Sequence, residues 1–353
     1  MQRAGGKHLE RAVMAKNVTL SDIAKKVGVS TVTVSKALSG QSGVSDSVRA
    51  QIKDLAESMG YQKRSRTTRK ERTDEAYNIG VLIPEKYLDK YSSFYAMMYG
   101  ELAAQAVKRG CFAFMEPITA EGERELRLPR MIEEDKADGI VIIGYPSDDY
   151  LEMLKTEGGL PVVYMDFSTT DENADAVLSN GYYGSYFLTN YLFGKGHKRI
   201  AFVGTVGATG SITDRYLGYM KAFIEHGCSY SDSMVIEDRD AETGNMDEEK
   251  FFQLPPEKDM PDAFVCNSDL TASMLIHKLR DNGYRVPDDV SVVGYDNYLY
   301  PGLCDIGITT YEVDVRNMAK RVLHILTHKI EGRPYQGGVQ VVEGRLIEKD
   351  SVK

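Results

Sequence analysis

The stretch VTLSDIAKKVGVSTVTVSKAL, residues 18–38, constrains this chain most. Leu20, Ile23, Ala24 and Val27 recur at helical spacing, which predicts a short helix with one apolar face. Gly28 interrupts that pattern, as the turn of a helix-turn-helix requires. Ser30 is a good N-cap for a second helix over 31–38, with Val34, Ala37 and Leu38 for its inside. Its other face, Thr31, Val32, Thr33, Ser35 and Lys36, is short side chains plus one cation. A helix lying in a DNA major groove needs such a face, because small side chains let the backbone approach base edges and a Lys donates to guanine acceptors. A small helical subdomain with a polar surface accounts for any one of these residues. The run together points to nucleic acid, because Ala24, Gly28, Val29 and Val34 occupy the packing positions of the motif.

The net charge of −9 argues against a DNA binder until it is divided along the chain. Residues 1–72 hold 15 Lys/Arg against 6 Asp/Glu, or +9, and the remainder holds 28 against 46, or −18. A basic head can grip phosphates while an acidic body stays off them. At 353 residues and 42% hydrophobic content, the chain suits two or three domains with a large core.

The leader 1–16 has no strong pattern and reads as a disordered arm, or as an upstream extension of a chain whose natural start is Met14. After Leu38 a Gly/Ser loop leads to Ser45, the expected cap of a third helix striped by Val48, Ile52, Leu55, Ala56 and Met59 and closed by Gly60. Arg49 and Lys53 on its polar side either hold phosphates or are simply solvated.

The run TLSDIAKKVGVSTVTVSKALSG followed by VSDSVRAQIKDLAESMGY resembles the DNA-binding head of the lactose-repressor (LacI/GalR) family. The resemblance implies that Thr31, Val32 and Lys36 read bases, and that Thr19, Ser30, Thr33, Ser35 and Arg49 contact the backbone or support the helix. The head is bounded at 17–61, and 62–76 reads as a polar, basic linker. In the family two such linkers fold as helices on the minor groove and wedge a Leu between base steps. This chain has no Pro, Asn or Leu between Gln62 and Asp74. Lys63, Arg64 and Arg66 remain available to phosphates.

From Tyr77 onward strands and helices alternate, which predicts a parallel sheet with crossover helices. Strands are expected at 78–84, 111–116, 139–144 and 161–167, with helices at 94–109, 123–135 and 148–156. A second set follows, with strands at 199–204, 262–267 and 290–296 and helices at 182–193, 214–226 and 270–282. Two sets predict two similar sub-domains with a cleft at the carboxyl ends of their strands. The expected fold is a small all-α helix-turn-helix head plus an α/β core of two Rossmann-like sub-domains.

GHKRIAFVG, DRYLGYMKAF, FVCNSDLTAS, NGYRVPDDVSVVGYDN and ITTYEVDVRNMAKRVL resemble the effector-binding core that these repressors share with periplasmic sugar-binding proteins. That implies a first sub-domain of about 77–179 with 299–334 and a second of about 180–298 with 335–353. It also implies ligand contacts from Arg215, Asp296, Asp166 and Asp269, although the family's Asn-Asp pair is Ser268-Asp269 here. The chemistry suits a carbohydrate, because Asp accepts from vicinal hydroxyls and Arg donates in a fork. Phe94, Tyr95 and Tyr145 are placed to stack on a sugar face, with core or surface packing the alternative for each. An ion pair with Asp214 is the alternative for Arg215, and a helix cap for Asp296.

Enzyme chemistry finds no support. GTVGATGS lacks both dinucleotide and P-loop spacing and reads as a cleft loop, and no nucleophile is paired with a base. Cys111, Cys228, Cys266 and Cys304 form no C-x-x-C pair, so neither zinc nor another cofactor is expected. No apolar run crosses a membrane, and the charged leader does not read as a signal peptide, so a cytoplasmic protein is expected. The whole reading is a sugar-responsive regulator, a homodimer on double-stranded operator DNA, with a mono- or disaccharide effector. A sugar kinase with a DNA-binding head and a transport receptor are the rivals.

Overall fold

A computed structural model of the chain describes residues 20–39, 43–59, 61, 76–88, 94–228, 235–247 and 249–353. The leader, the linker 62–75 and Gly60 lie outside them. The chain divides into two compact units, Met1–Thr73 and Asp74–Lys353.

Among the described residues the first unit has three helices, α1 (Leu20–Val27), α2 (Thr31–Ser39) and α3 (Asp46–Ser58). Ile23, Ala24, Val34, Ala37, Ile52 and Ala56 close its core. Gly28 adopts φ +73°, a conformation that costs an L side chain about 1–2 kcal/mol. Its N–H returns to the Ala24 carbonyl at 2.9 Å, so the turn ends α1 abruptly. Ser30 caps α2, its Oγ accepting from the Thr33 N–H at 3.1 Å. Ser45 occupies the N-cap position of α3 but accepts no capping hydrogen bond, and Met59 is the C-cap.

The second unit is two six-stranded sheets. The first is built from β1 (Asn78–Pro84), α4 (Phe94–Lys108), β2 (Phe112–Ile118), α5 (Ala120–Arg124), α6 (Arg130–Glu133), β3 (Gly139–Ile143), α7 (Asp148–Glu157), β4 (Val162–Met165) and β5 (Ala176–Ser179). The second follows as α8 (Gly181–Gly194), β6 (Ile200–Val203), α9 (Gly210–Glu225), β7 (Val235–Ile236), β8 (Ala263–Cys266), α10 (Asp269–Asp281), β9 (Ser291–Asp296) and β10 (Thr309–Glu312). The chain then returns through α11 (Val315–Glu331) and β11 (Val339–Val342) and ends on β12 (Arg345–Ile347). The strand orders are β11-β5-β4-β3-β1-β2 and β12-β10-β9-β8-β6-β7. Every pair is parallel except β10 with β12.

Three expectations need correction. The helix expected over 123–135 is two short turns, because Pro129 disfavours helix in the residue before it and Leu126 turns back at φ +51°. α9 begins at Gly210 rather than Asp214, because Thr209 caps it by accepting from the Ile212 N–H at 3.1 Å. The sub-domain boundaries also move. β10 pairs with β9 and so belongs to the second lobe, and β11 pairs with β5 and so belongs to the first. The backbone therefore passes between the lobes three times, after β5, β10 and β11.

Buried Asp175 holds the returning segment on the first lobe. It accepts from Lys329 Nζ at 2.6 Å, from the Tyr335 hydroxyl at 3.0 Å and from the Gly338 N–H at 2.8 Å. In the second lobe α8 and α9 pack closely at Gly218, where any Cβ would collide with the Tyr182 carbonyl. Gly218→Ala is expected to destabilise the core by about 3 kcal/mol, the upper end for overpacking, because backbone rather than a side-chain tip must yield. Chemical denaturation measures it, and a variant within about 0.5 kcal/mol of the parent refutes the close approach.

Candidate functional site

Two sites emerge, one in each unit. In the first unit the exposed Ser30 Oγ pairs with the Thr33 hydroxyl at 3.0 Å and fixes the start of α2. Arg49, from α3, turns inward. Its Nη1 donates to the carbonyls of Lys36 at 3.2 Å and Ala37 at 3.1 Å, and Nη2 to Val44 at 3.5 Å. Those carbonyls belong to the last turn of α2, where no intrahelical donor remains. Arg49 therefore supports the helix, and the sequence alternatives of phosphate clamp or solvated charge give way to a capping role. Lys36 is half-buried on α2. Thr31, Val32 and Ser35 lie on the same helix, but their side chains, with Thr19, Lys63, Arg64 and Arg66, fall outside the described residues.

In the second unit a cavity of about 210 Å³ opens between the two sheets. It is lined from the first lobe by Lys86, Tyr87, Phe94, Tyr95 and Asp166, and from the second by Arg215, Arg239, Asn267, Asp296 and Tyr298, among others. Asp166 follows β4 and Asp296 ends β9, so both acids sit at carboxyl ends of parallel strands, at φ +69° and +100°.

Arg215 is the floor, 5% exposed. Its Nη1 donates to the Asn267 carbonyl at 2.5 Å, its Nη2 to Asp296 Oδ1 at 3.2 Å, and its plane lies 3.9 Å over the Tyr295 ring. Its Nε is buried without a partner. Burial opposes the charge, but Asp296, Tyr295 and Asp166 hold the guanidinium protonated. Burial pushes Asp296 up to about 7, against the pull of Arg215 and with a further push from the Asp166 charge. Burial likewise raises Asp166, although Arg215 and a hydrogen bond from the Tyr95 hydroxyl at 3.2 Å oppose it. Tyr95 stacks on Tyr87 at 4.8 Å, and Phe94 meets Tyr298 of the opposite lobe at 6.1 Å.

Residues 19–63 match the family described as bacterial regulatory proteins, lacI family, and residues 189–352 match the periplasmic binding protein-like domain. The chain carries a lacI-family head and a periplasmic binding protein-like domain. Relatives described as HTH-type transcriptional repressor PurR come from Aliivibrio fischeri, 25% identical over 95% of this chain and 98% of theirs, and from Mannheimia succiniciproducens, with the same figures. Among solved structures, the transcriptional regulator CelR–cellobiose complex superposes with a TM-score of 0.66 at 23% identity, covering 95% of this chain and 100% of that one. The lac repressor dimer bound to operator and the anti-inducer ONPF gives 0.65 at 20% identity, covering 95% and 99%. The function these matches support is that of a DNA-binding transcriptional repressor. Its relatives are regulators and not enzymes. Among the described residues no group of three or more His, Cys, Asp or Glu is placed to hold a metal, and no helix is long and apolar enough to cross a membrane.

Phe94, Tyr95, Asp166, Arg215 and Asp296 all line the cavity of this core. Tyr145 and Asp269 do not. The Tyr145 hydroxyl donates to Asp148 and its ring packs edge-on to Phe167 at 5.3 Å, so it is a packing residue. Asp269 starts α10, accepts from the Tyr298 N–H at 3.0 Å and braces the loop after β9. Burial, with the nearby Asp296 charge, holds its carboxyl well above the usual range.

Sequence reasoning missed Tyr87, Arg239, Asn267 and Tyr298. Arg239 sits in EDRDAETGNM, where charges without periodicity read as a solvated loop. In the fold the fully buried Asp238 grips it, accepting from its Nη2 at 2.7 Å. Asn267 supplies an amide near the place where Ser268 had seemed to remove one, but its Nδ2 is committed to Val203, Asp238 and Thr271.

Asp296 binds its proton more tightly folded, with its pKa raised from 3.8 to about 7, than unfolded. Its contribution to stability is therefore full below about pH 4 and is lost as pH rises through about 7. Ligand-free protein is expected to lose thermal stability between about pH 5 and pH 8. Asp296→Asn makes that slope shallower; a melting temperature falling as steeply as in the parent contradicts the assignment.

Proposed function

We propose that this repressor binds a small sugar in the cleft between its core lobes and that the sugar changes the affinity of a homodimer for a near-palindromic operator. The observation that carries this reading is the buried Arg215, with two acids and an unpartnered Nε, facing aromatic rings in one cavity open between the lobes. Acids accept from vicinal hydroxyls, a guanidinium donates in a fork, and rings cover the apolar face of a pyranose. The cellobiose complex of a structurally similar regulator supports the same class of ligand. Both lobes contribute to the cavity, so a ligand that touches both favours one relative arrangement of them. That is the differential contact on which coupling between two sites depends.

In the head, Thr31, Val32 and Lys36 read bases, with Ser30 and Thr33 fixing the start of the recognition helix and Arg49 its end. Thr19, Ser35 and the basic Lys63, Arg64 and Arg66 contact the DNA backbone. The homodimer reading draws on apolar side chains exposed on the core, Val107 at 65% and Phe112 at 63%, on α4 and the edge strand β2. The cell compartment that fits all of this is the cytoplasm.

One operator-binding assay with two variants separates the parts. Lys36→Ala is expected to weaken operator binding by about 1–3 kcal/mol and to relax discrimination at one base pair. Arg215→Ala is expected to keep operator binding and lose its response to sugar. An unaltered base preference in the first variant, or lost DNA binding in the second, overturns the assignment concerned. A footprint of the parent is expected to show two half-sites about one helical turn apart; a single protected half-site at saturation argues against the dimer.

A further inference from the structure

The cavity is lined by three cations, Lys86, Arg215 and Arg239, and by three acids, Asp166, Glu242 and Asp296. Arg239 enters it from the segment after β7. Its Nε donates to both oxygens of Asp238 at 3.1 Å, and its Nη2 to Oδ2 at 2.7 Å. Asp238 also accepts from the Thr205 N–H at 2.9 Å, Asn267 Nδ2 at 2.7 Å and Thr271 Oγ1 at 2.8 Å. Burial raises the carboxyl of Asp238, but Arg239 and these donors outweigh it and hold the group below its ordinary value. The guanidinium is thus clamped by a fully ionised, desolvated partner. Its Nη1 makes no hydrogen bond among the described residues.

From the opposite lobe Lys86 lines the same cavity. Its ammonium lies 5.1 Å from the Tyr87 ring, and among the described residues no carboxylate pairs with it. Neither buried acid of the cavity pairs with Lys86 or Arg239. Asp296 pairs with Arg215, and Asp166 takes the Tyr95 hydroxyl. Glu242 is exposed, as Lys86 is, and among the described residues its carboxylate pairs with neither Arg239 nor Lys86.

A guanidinium held rigid by a buried carboxylate is costly to build unless its outward N–H groups meet a partner, and the strongest partner is an anion. Resting on the polyol reading above, we infer that the effector carries an anionic group, a phosphate or a carboxylate, which Arg239 and Lys86 hold from opposite lobes while Asp296, Asp166 and Arg215 take its hydroxyls. An anion held by both cations touches both lobes at once. The anion therefore favours the closed cleft more than the neutral parent sugar does.

The test is calorimetric titration of the full chain at matched ionic strength. Hexoses, pentoses and disaccharides are each compared with their phosphates and with the corresponding uronates or aldonates, and inorganic phosphate serves as a control. At least one anionic member is expected to bind about tenfold more tightly than its neutral parent, about 1.4 kcal/mol. Whether the phosphate or the carboxylate series gains names the group. Arg239→Gln and Lys86→Gln are each expected to reduce that anionic-to-neutral ratio several-fold. Lys86 is exposed, so its variant keeps the test open if loss of Arg239 unfolds the core. A neutral parent that binds as tightly as its anions, or a ratio unmoved in Lys86→Gln, overturns the anionic group and leaves the sugar reading standing. Failure of every sugar in either charge state overturns both.

Discussion

Arg215 is the interaction on which the cleft depends. Its guanidinium is 5% exposed, and such a charge is tolerated only where the surroundings replace water. Three groups from two segments of the second lobe do so: the carbonyl of Asn267 after β8, and the carboxylate of Asp296 and the ring of Tyr295 at the end of β9. Asp166 contributes its charge from the first lobe. Removing one partner of such a buried pair typically costs about 3–5 kcal/mol, because the other charge is left stranded. The cavity is thus electrostatically tight without ligand, and what enters must exchange hydrogen bonds with a set already partly satisfied.

The buried carboxylates around this floor have different fates, and environment alone separates them. Asp238 is held ionised by a guanidinium, an amide, a hydroxyl and a backbone N–H. Asp296 has one cation, shared with Asp166, and is pushed to about 7. Asp269 has a backbone N–H but also a buried, partnerless oxygen, and lies well above the ordinary range. Burial favours the neutral acid in every case, and the count of donors decides whether it wins.

The head was the most legible part of the chain. Its helices are short, but the first two are bounded by residues with a mechanism, Gly28 at positive φ and Ser30 as a cap. The long elements of the core were legible too, as for β1 at Asn78–Pro84 and α4 at Phe94–Lys108. Strands β5, β7, β10, β11 and β12 escaped, because they lack the continuous apolar runs that marked β4, β6 and β8 at similar length. Arg49 shows a different limit. An exposed-looking cation on a helix face has the same sequence signature whether it meets phosphate or the carbonyls of a neighbouring helix.

By itself the sequence determined the helix-turn-helix, the alternation of strand and helix, the division of charge between head and body, and five of the residues that line the cavity. The first three are local properties, set by spacing, capping or composition within a few turns of chain, whereas Arg215, Asp296 and Asp166 came from the resemblance to the family. Only the tertiary structure decided which lobe owns β10 and β11, that Tyr145 and Asp269 serve packing and bracing, and that Arg239 and Lys86 face the same space. Those depend on segments far apart in sequence, and a side chain's partner across a cleft leaves no periodic trace in its own neighbourhood. The physical reason is that hydrophobic pattern fixes faces of elements, whereas polar contacts are settled by where the backbone crosses from one lobe to the other.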